Sequence, residues 1–93
     1  MLAYSEIESF LGMRKAAKKR YLALLHLLAE REMRWVDLKR SLQIELKETI
    51  SDPQFSNYLN SLKDYGFIIL TDNIYSIPDP LLKKALRGGI SNL

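Results

Sequence analysis

The 93-residue sequence contains no cysteine, so it has neither a disulfide framework nor a thiolate metal site. It has a single histidine, and no cluster of carboxylates that would complete a metal shell around it. No apolar run approaches the roughly 20 residues that a bilayer crossing needs. The N-terminus lacks the basic-then-apolar pattern of a secretory signal. A Gly-rich loop ending in Gly-Lys-Ser/Thr is also missing; the one glycine pair is Gly88-Gly89. No Ser, Cys or paired carboxylate stands at the spacing of a catalytic relay with His26. These absences predict a soluble cytoplasmic protein that is not an enzyme, carries no cofactor or metal, and has no small-molecule substrate and no membrane partner.

Among the residues present, 47% are hydrophobic, enough for one core. A chain of this length buries about two-thirds of its unfolded surface, so modest stability is expected. The net charge of +3 is unevenly spread. Arg14, Lys15, Lys18, Lys19 and Arg20 form a basic run with no acid among them. Residues 30–48 carry five basic and five acidic groups and cancel. Residues 50–78 set Lys63 against Asp52, Asp64 and Asp72, a net of −2.

Apolar spacing gives the elements. Tyr4, Ile7, Phe10 and Leu11 predict a short amphipathic helix, ended or bent at Gly12. A long helix from about Arg14 to Glu30 carries the stripe Ala17, Tyr21, Leu24 and Leu28, widened by Leu25. Its first turns are crowded with cations, which opposes the helix dipole. Met33-Arg34-Trp35 reads as extended. A helix from about Val36 to Leu46 follows, with Trp35, Leu38 and Leu42 inward and Lys39-Arg40 outward. The next helix starts at Ser51-Asp52-Pro53-Gln54. Either Ser51 caps it with Gln54 as its box partner, or Asp52 caps it with Pro53 first in the helix. Phe55, Leu59 and Leu62 form its inner stripe, Tyr58 and Tyr65 lie beside them, and Gly66 is a left-handed stop. Phe67–Leu70 and Ile74–Ile77 then read as two strands joined by Thr71-Asp72-Asn73. Asp79 and Pro80 start a last helix, with Leu81, Leu82, Ala85 and Leu86 as its apolar face and Arg87-Gly88-Gly89 as its end.

The fold class this order predicts is mostly α with a small β-hairpin: a winged helix-turn-helix with a two-stranded wing. The expected organisation is one domain over residues 1–93. Residues 1–12 are a helical extension, 13–77 the winged-helix core, and 78–93 a C-terminal helix and tail.

Four segments carry a resemblance across nearly the whole chain. They are Arg34-Trp35-Val36-Asp37-Leu38-Lys39, Ile50-Ser51-Asp52 leading into Ser56-Asn57-Tyr58-Leu59, Leu62-Lys63-Asp64-Tyr65-Gly66-Phe67-Ile68, and Tyr75-Ser76-Ile77-Pro78-Asp79-Pro80-Leu81-Leu82. In this order and spacing they resemble the C-terminal winged-helix domain of archaeal P-loop (AAA-type) ATPases, and Phe10-Leu11-Gly12 resembles that family's linker. The missing phosphate-binding loop means that the ATPase half does not carry over. An excised domain and a free-standing relative both fit.

In a helix-turn-helix, the third helix of the core meets base edges in the major groove. Its outward positions here are Gln54, Ser56, Asn57, Asn60, Ser61 and Lys63. Gln and Asn side chains can pair bidentately with adenine. The plain alternative is a solvated polar face. Phosphate contacts are expected from Arg34, Lys39 and Arg40, and from Arg14, Lys15 and Lys18 in the basic run. The wing offers Thr71, Asp72 and Asn73 in place of cations, which argues against a strong grip on DNA. The expected function is therefore non-catalytic binding of double-stranded DNA, of the kind used in transcription regulation. The alternative is a protein-interaction or dimerisation module, with the terminal helices packing on the domain, on a second copy or on an ATPase domain. Trp35 is read as a core anchor.

Overall fold

A computed structural model describes residues 2–88, with side chains from Ser5 onward. Tyr4 of the first apolar stripe and Gly89 of the last helix end lie outside the described side chains and residues. In chain order the elements are α1 (Leu2–Gly12), a single 3₁₀ turn (Lys15–Ala17), α2 (Lys18–Glu30), β1 (Met33–Arg34), α3 (Trp35–Leu46), α4 (Asp52–Asp64), β2 (Ile69–Thr71), β3 (Ile74–Ser76) and α5 (Pro80–Arg87). This is the order of a winged helix: α2, α3 and α4 form the three-helix core, and the hairpin follows the third helix. Among the described residues, no helix is long and apolar enough to cross a membrane.

The helix predicted from Arg14 is divided. Arg14 stands outside regular helix at φ −130° and ψ 47°, and Ala17 at φ −109° and ψ 8° caps α2 with no side-chain hydrogen bond. Arg14 turns back instead, its guanidinium donating to the Phe10 carbonyl at 3.3 Å. The crowd of cations at a positive helix end is thus met by a tighter turn and a break.

The sheet has three strands, one more than the hairpin alone. Its order is β1-β3-β2, with Met33 opposite Tyr75 and Leu70 opposite Tyr75 on the other side, all antiparallel. The wing begins at Ile69, later than expected, because Phe67 and Ile68 are buried in the core and do not join the ladder. Thr71 belongs to β2. The turn is Asp72-Asn73, with φ of 51° and 65°. Two consecutive left-handed residues in a two-residue loop make a type I′ turn, which matches the twist of the strands, and Asp and Asn are among the few residues that tolerate it.

One core joins all these elements. Leu24, Leu25 and Leu28 of α2, Leu38 and Leu42 of α3, and Phe55, Leu59 and Leu62 of α4 are fully buried together. α1 and α5 add to it: Ile7, Phe10, Leu11, Leu82 and Leu86 are all buried. Both terminal helices therefore pack on the domain. Leu81 does not share the α5 face expected of it; it is 60% exposed, because Leu82 and Leu86 set the buried stripe one position further on. Phe10 sits in an aromatic nest, edge-on to Tyr21 and Tyr65 at 4.8 Å and to Phe67 at 5.4 Å. Trp35 is half-buried and edge-on to Phe55 at 5.2 Å, the anchoring role expected.

Candidate nucleic-acid interface

α4 is held in place at both ends. Of the two starts open in the sequence, Ser51 is the cap: its hydroxyl accepts from the Gln54 amide at 3.3 Å, and its carbonyl accepts from Phe55. Asp52 and Pro53 are the first two helical residues. The preceding residue is fixed as well, since the Ile50 amide donates to the Gln43 side chain of α3 at 2.8 Å. At the other end the Gly66 amide donates to the Lys63 carbonyl and the Phe67 amide to that of Leu62. With Gly66 at φ 78°, this is a Schellman closure, whose left-handed residue favours glycine. Phe67 then drops into the core beside Leu62.

The face of α4 opposite its buried stripe holds the predicted contact residues. Gln54, Asn57, Asn60 and Lys63 are exposed, and Ser56 and Ser61 are half-buried at its margins. Gln54, Asn57, Asn60 and Lys63 follow one another at three-residue steps, each about 60° short of a full turn, so the band winds across the exposed half of the helix with Gln54 and Lys63 on opposite flanks.

The predicted cations scatter. Lys39 is half-buried and bonded to Asp52, with its ammonium 5.8 Å from the Trp35 ring centroid, so it does not stand free on the outer face. This contact neutralises the charge at the start of α4. Arg40 and Arg34 are exposed and line a groove with Asp37 and Ile74. Arg34 also lines a second groove, between the start of α3 and the wing, with Leu70, Asn73 and Tyr75. Arg34 thus adjoins the wing, giving the cation-poor hairpin a basic neighbour.

The basic run divides too. Arg14 stacks over Phe10 at 4.1 Å and over Tyr65, at the end of α4, at 4.9 Å. Arg20 donates to the Tyr58 hydroxyl at 2.8 Å and to Glu48 at 3.2 Å. The Tyr58 hydrogen bond, and Glu48 after it, hold its guanidinium above the ordinary arginine pKa. Tyr58 is accordingly a core residue. Lys15 and Lys19 are exposed, and Lys18 is half-buried with an interaction of its own. The sequence carries no local sign that Arg14 and Arg20 are structural, because their partners lie on other elements.

The family of MCM protein C-terminal winged helix-turn-helix domains matches residues 15–77, the span from the 3₁₀ turn through the wing. The chain belongs to this family. Among solved structures, this winged-helix domain is similar to the Walker-type ATPase PABY2304 of Pyrococcus abyssi, with 28% identity and a TM-score of 0.73. That similarity covers 92% of the present chain, so it reaches into the terminal helices beyond the family match, but it covers 24% of the ATPase. The domain therefore spans about a quarter of that protein. No curated protein sequence matches the chain. This similarity to a Walker-type ATPase bears out the resemblance read from the sequence.

Proposed function

We propose that this domain is a non-catalytic, double-stranded DNA-binding module, working in the cytoplasm beside an ATPase domain and folding as one unit over residues 1–93. It lays α4 in the major groove. The observation that carries this reading is the band Gln54, Asn57, Asn60 and Lys63, exposed along a helix fixed at both ends. Such amides suit base edges. Ser56 and Ser61 flank the band, and Arg34, Arg40 and Lys15 are the exposed cations nearest to free use. With Lys39 and Arg20 engaged in ion pairs and Asp64 and Asp72 exposed, the grip is weak, with a dissociation constant of about 10⁻⁴–10⁻⁶ M at physiological salt.

The test is a fluorescence-anisotropy titration of a labelled duplex against salt. Lys63→Ala is expected to reduce the salt slope by about 1, and Asn57→Ala to weaken binding several-fold at every salt. Absence of binding at low salt, or indifference to both substitutions, rejects the reading. A protein-interaction role is the second reading. It is favoured by the wing itself, where Ile69 and Leu70 are exposed and Leu70 shares a groove with exposed Val36 of α3, apolar surface in the place where a DNA-gripping wing would carry cations.

A further inference from the structure

α2 is apolar on two faces. Tyr21, Leu24, Leu25 and Leu28 are buried in the core. A second stripe, Lys19, Leu22, Ala23, His26, Leu27 and Glu30, runs the length of the helix on another side and forms the floor of an open groove of about 470 Å³. Leu46 of α3, with Glu45 beside it, forms the wall. Leu22, Ala23, Leu27 and Leu46 lean on the core from one side and stay half-exposed on the other. A helix with apolar residues most of the way round is normally covered most of the way round.

The stripe is symmetric about its own midpoint. Lys19 and Glu30 are its ends, Leu22 and Leu27 its next pair, and Ala23 and His26 its centre. If a second α2 lies antiparallel on the first, about a twofold axis between Ala23 and His26, every position meets a fitting counterpart. Leu22 packs on Leu27, the small Ala23 makes room for His26, and Lys19 faces Glu30, each of these twice. Both charges are available: the ion pairs among the described residues are Arg20–Glu48 and Lys39–Asp52, and neither Lys19 nor Glu30 takes part in one. A twofold contact requires one patch to be complementary to itself, and this patch has that property in both charge and volume.

From this we infer that the α2 groove is the contact between two copies of this chain, an antiparallel α2–α2 homodimer with reciprocal Lys19–Glu30 ion pairs. The terminal helices are not its contact surface. The stripe is about 16 Å long by helical rise, so it buries less than the ~800 Å² per partner of a standard stable interface. The dimer is accordingly weak, with dissociation in the micromolar range.

The test is sedimentation equilibrium of the 93-residue chain from about 10 µM to 1 mM, with Lys19→Glu and Glu30→Lys variants alone and mixed. Lys19 and Glu30 are surface positions, and circular dichroism checks that each variant keeps its helix content. The wild type is expected to dimerise over this range. Each single variant sets like charges together twice per dimer and raises the dissociation constant about tenfold. An equimolar mixture of the two restores both ion pairs and returns association to the wild-type level. A wild type that stays monomeric at 1 mM overturns the proposal and leaves the groove to another domain or a foreign protein. Single variants that dimerise like wild type, or a mixture no tighter than its components, overturn it as well, because the contact then does not pair residue 19 with residue 30.

Discussion

Replacing Phe10 with alanine tests whether α1, which precedes the residues of the family match, belongs to the cooperative unit. The side chain is 1% exposed and edge-on to three aromatic rings. Truncating a buried phenylalanine costs about 3–5 kcal/mol, as lost transfer energy plus the cavity left behind. The lower end applies here, since Tyr65 is 44% exposed and Arg14 lies over the ring, so both can settle inward. A domain of 93 residues has a total stability of about 5–14 kcal/mol. A loss of about 3 kcal/mol is therefore a large part of it and lowers Tm by roughly 12–24 °C. Far-ultraviolet circular dichroism during thermal and urea unfolding measures this, with Met13→Ala as control. Met13 is 73% exposed, three residues away, and its truncation is expected to change stability by less than about 0.5 kcal/mol. A Phe10→Ala Tm within 5 °C of wild type, or a shift equal to that of Met13→Ala, would refute the argument and make α1 a loosely docked appendage.

Two further outcomes follow from buried phenols. A double-mutant cycle with Arg20→Met and Tyr58→Phe should return a coupling of about 1 kcal/mol, reduced from the value of a fully buried charged hydrogen bond because the Arg20 side chain is 22% exposed; a coupling near zero means that the 2.8 Å contact is not held in solution. Burial raises the Tyr75 phenol pKa above its ordinary value of about 10. The folded state then holds this proton more tightly than the unfolded chain, so its contribution is intact below about pH 10 and is lost as pH rises from there toward the raised folded pKa. Urea midpoints between pH 8 and 11 should fall less steeply for Tyr75→Phe than for wild type; parallel profiles contradict the assignment.

The elements legible in the sequence were those fixed by neighbours in the chain. Gly66 announced its helix end, Asp79-Pro80 its helix start, and Thr71-Asp72-Asn73 its turn, one residue longer than the loop that forms, because each rule involves residues within a few positions. Ser51 and Asp52 are both good caps, and local rules do not choose between them; the tie of Ile50 to Gln43 on another helix does. Met33-Arg34-Trp35 was readable as extended, but β1 is two residues long and its partner Tyr75 is far along the chain, so no local pattern shows that it joins the sheet. Leu81 and Leu82 are equally apolar, and their different burial comes from the phase at which α5 docks. The α4 band was readable as an outward face. The fate of the cations was not: Arg20 finds Tyr58 38 positions away and Glu48 28 positions away, and Lys39 finds Asp52 on the next helix. A run of like charges gives no sign of which members have distant partners.

α5 rests against both α1 and α2, and Arg87 near its end donates to the carbonyls of Ala29 at 2.8 Å and Glu30 at 3.3 Å, at the end of α2. Among the described helices, the first in chain order is thus completed by the last. While the chain is being made, the apolar sides of α1 and α2 wait uncovered until Leu82 and Leu86 arrive, so this closure comes late among the contacts of the domain. Growing chains side by side on one message would present those waiting faces to each other, a hazard that ends once Arg87 reaches the end of α2.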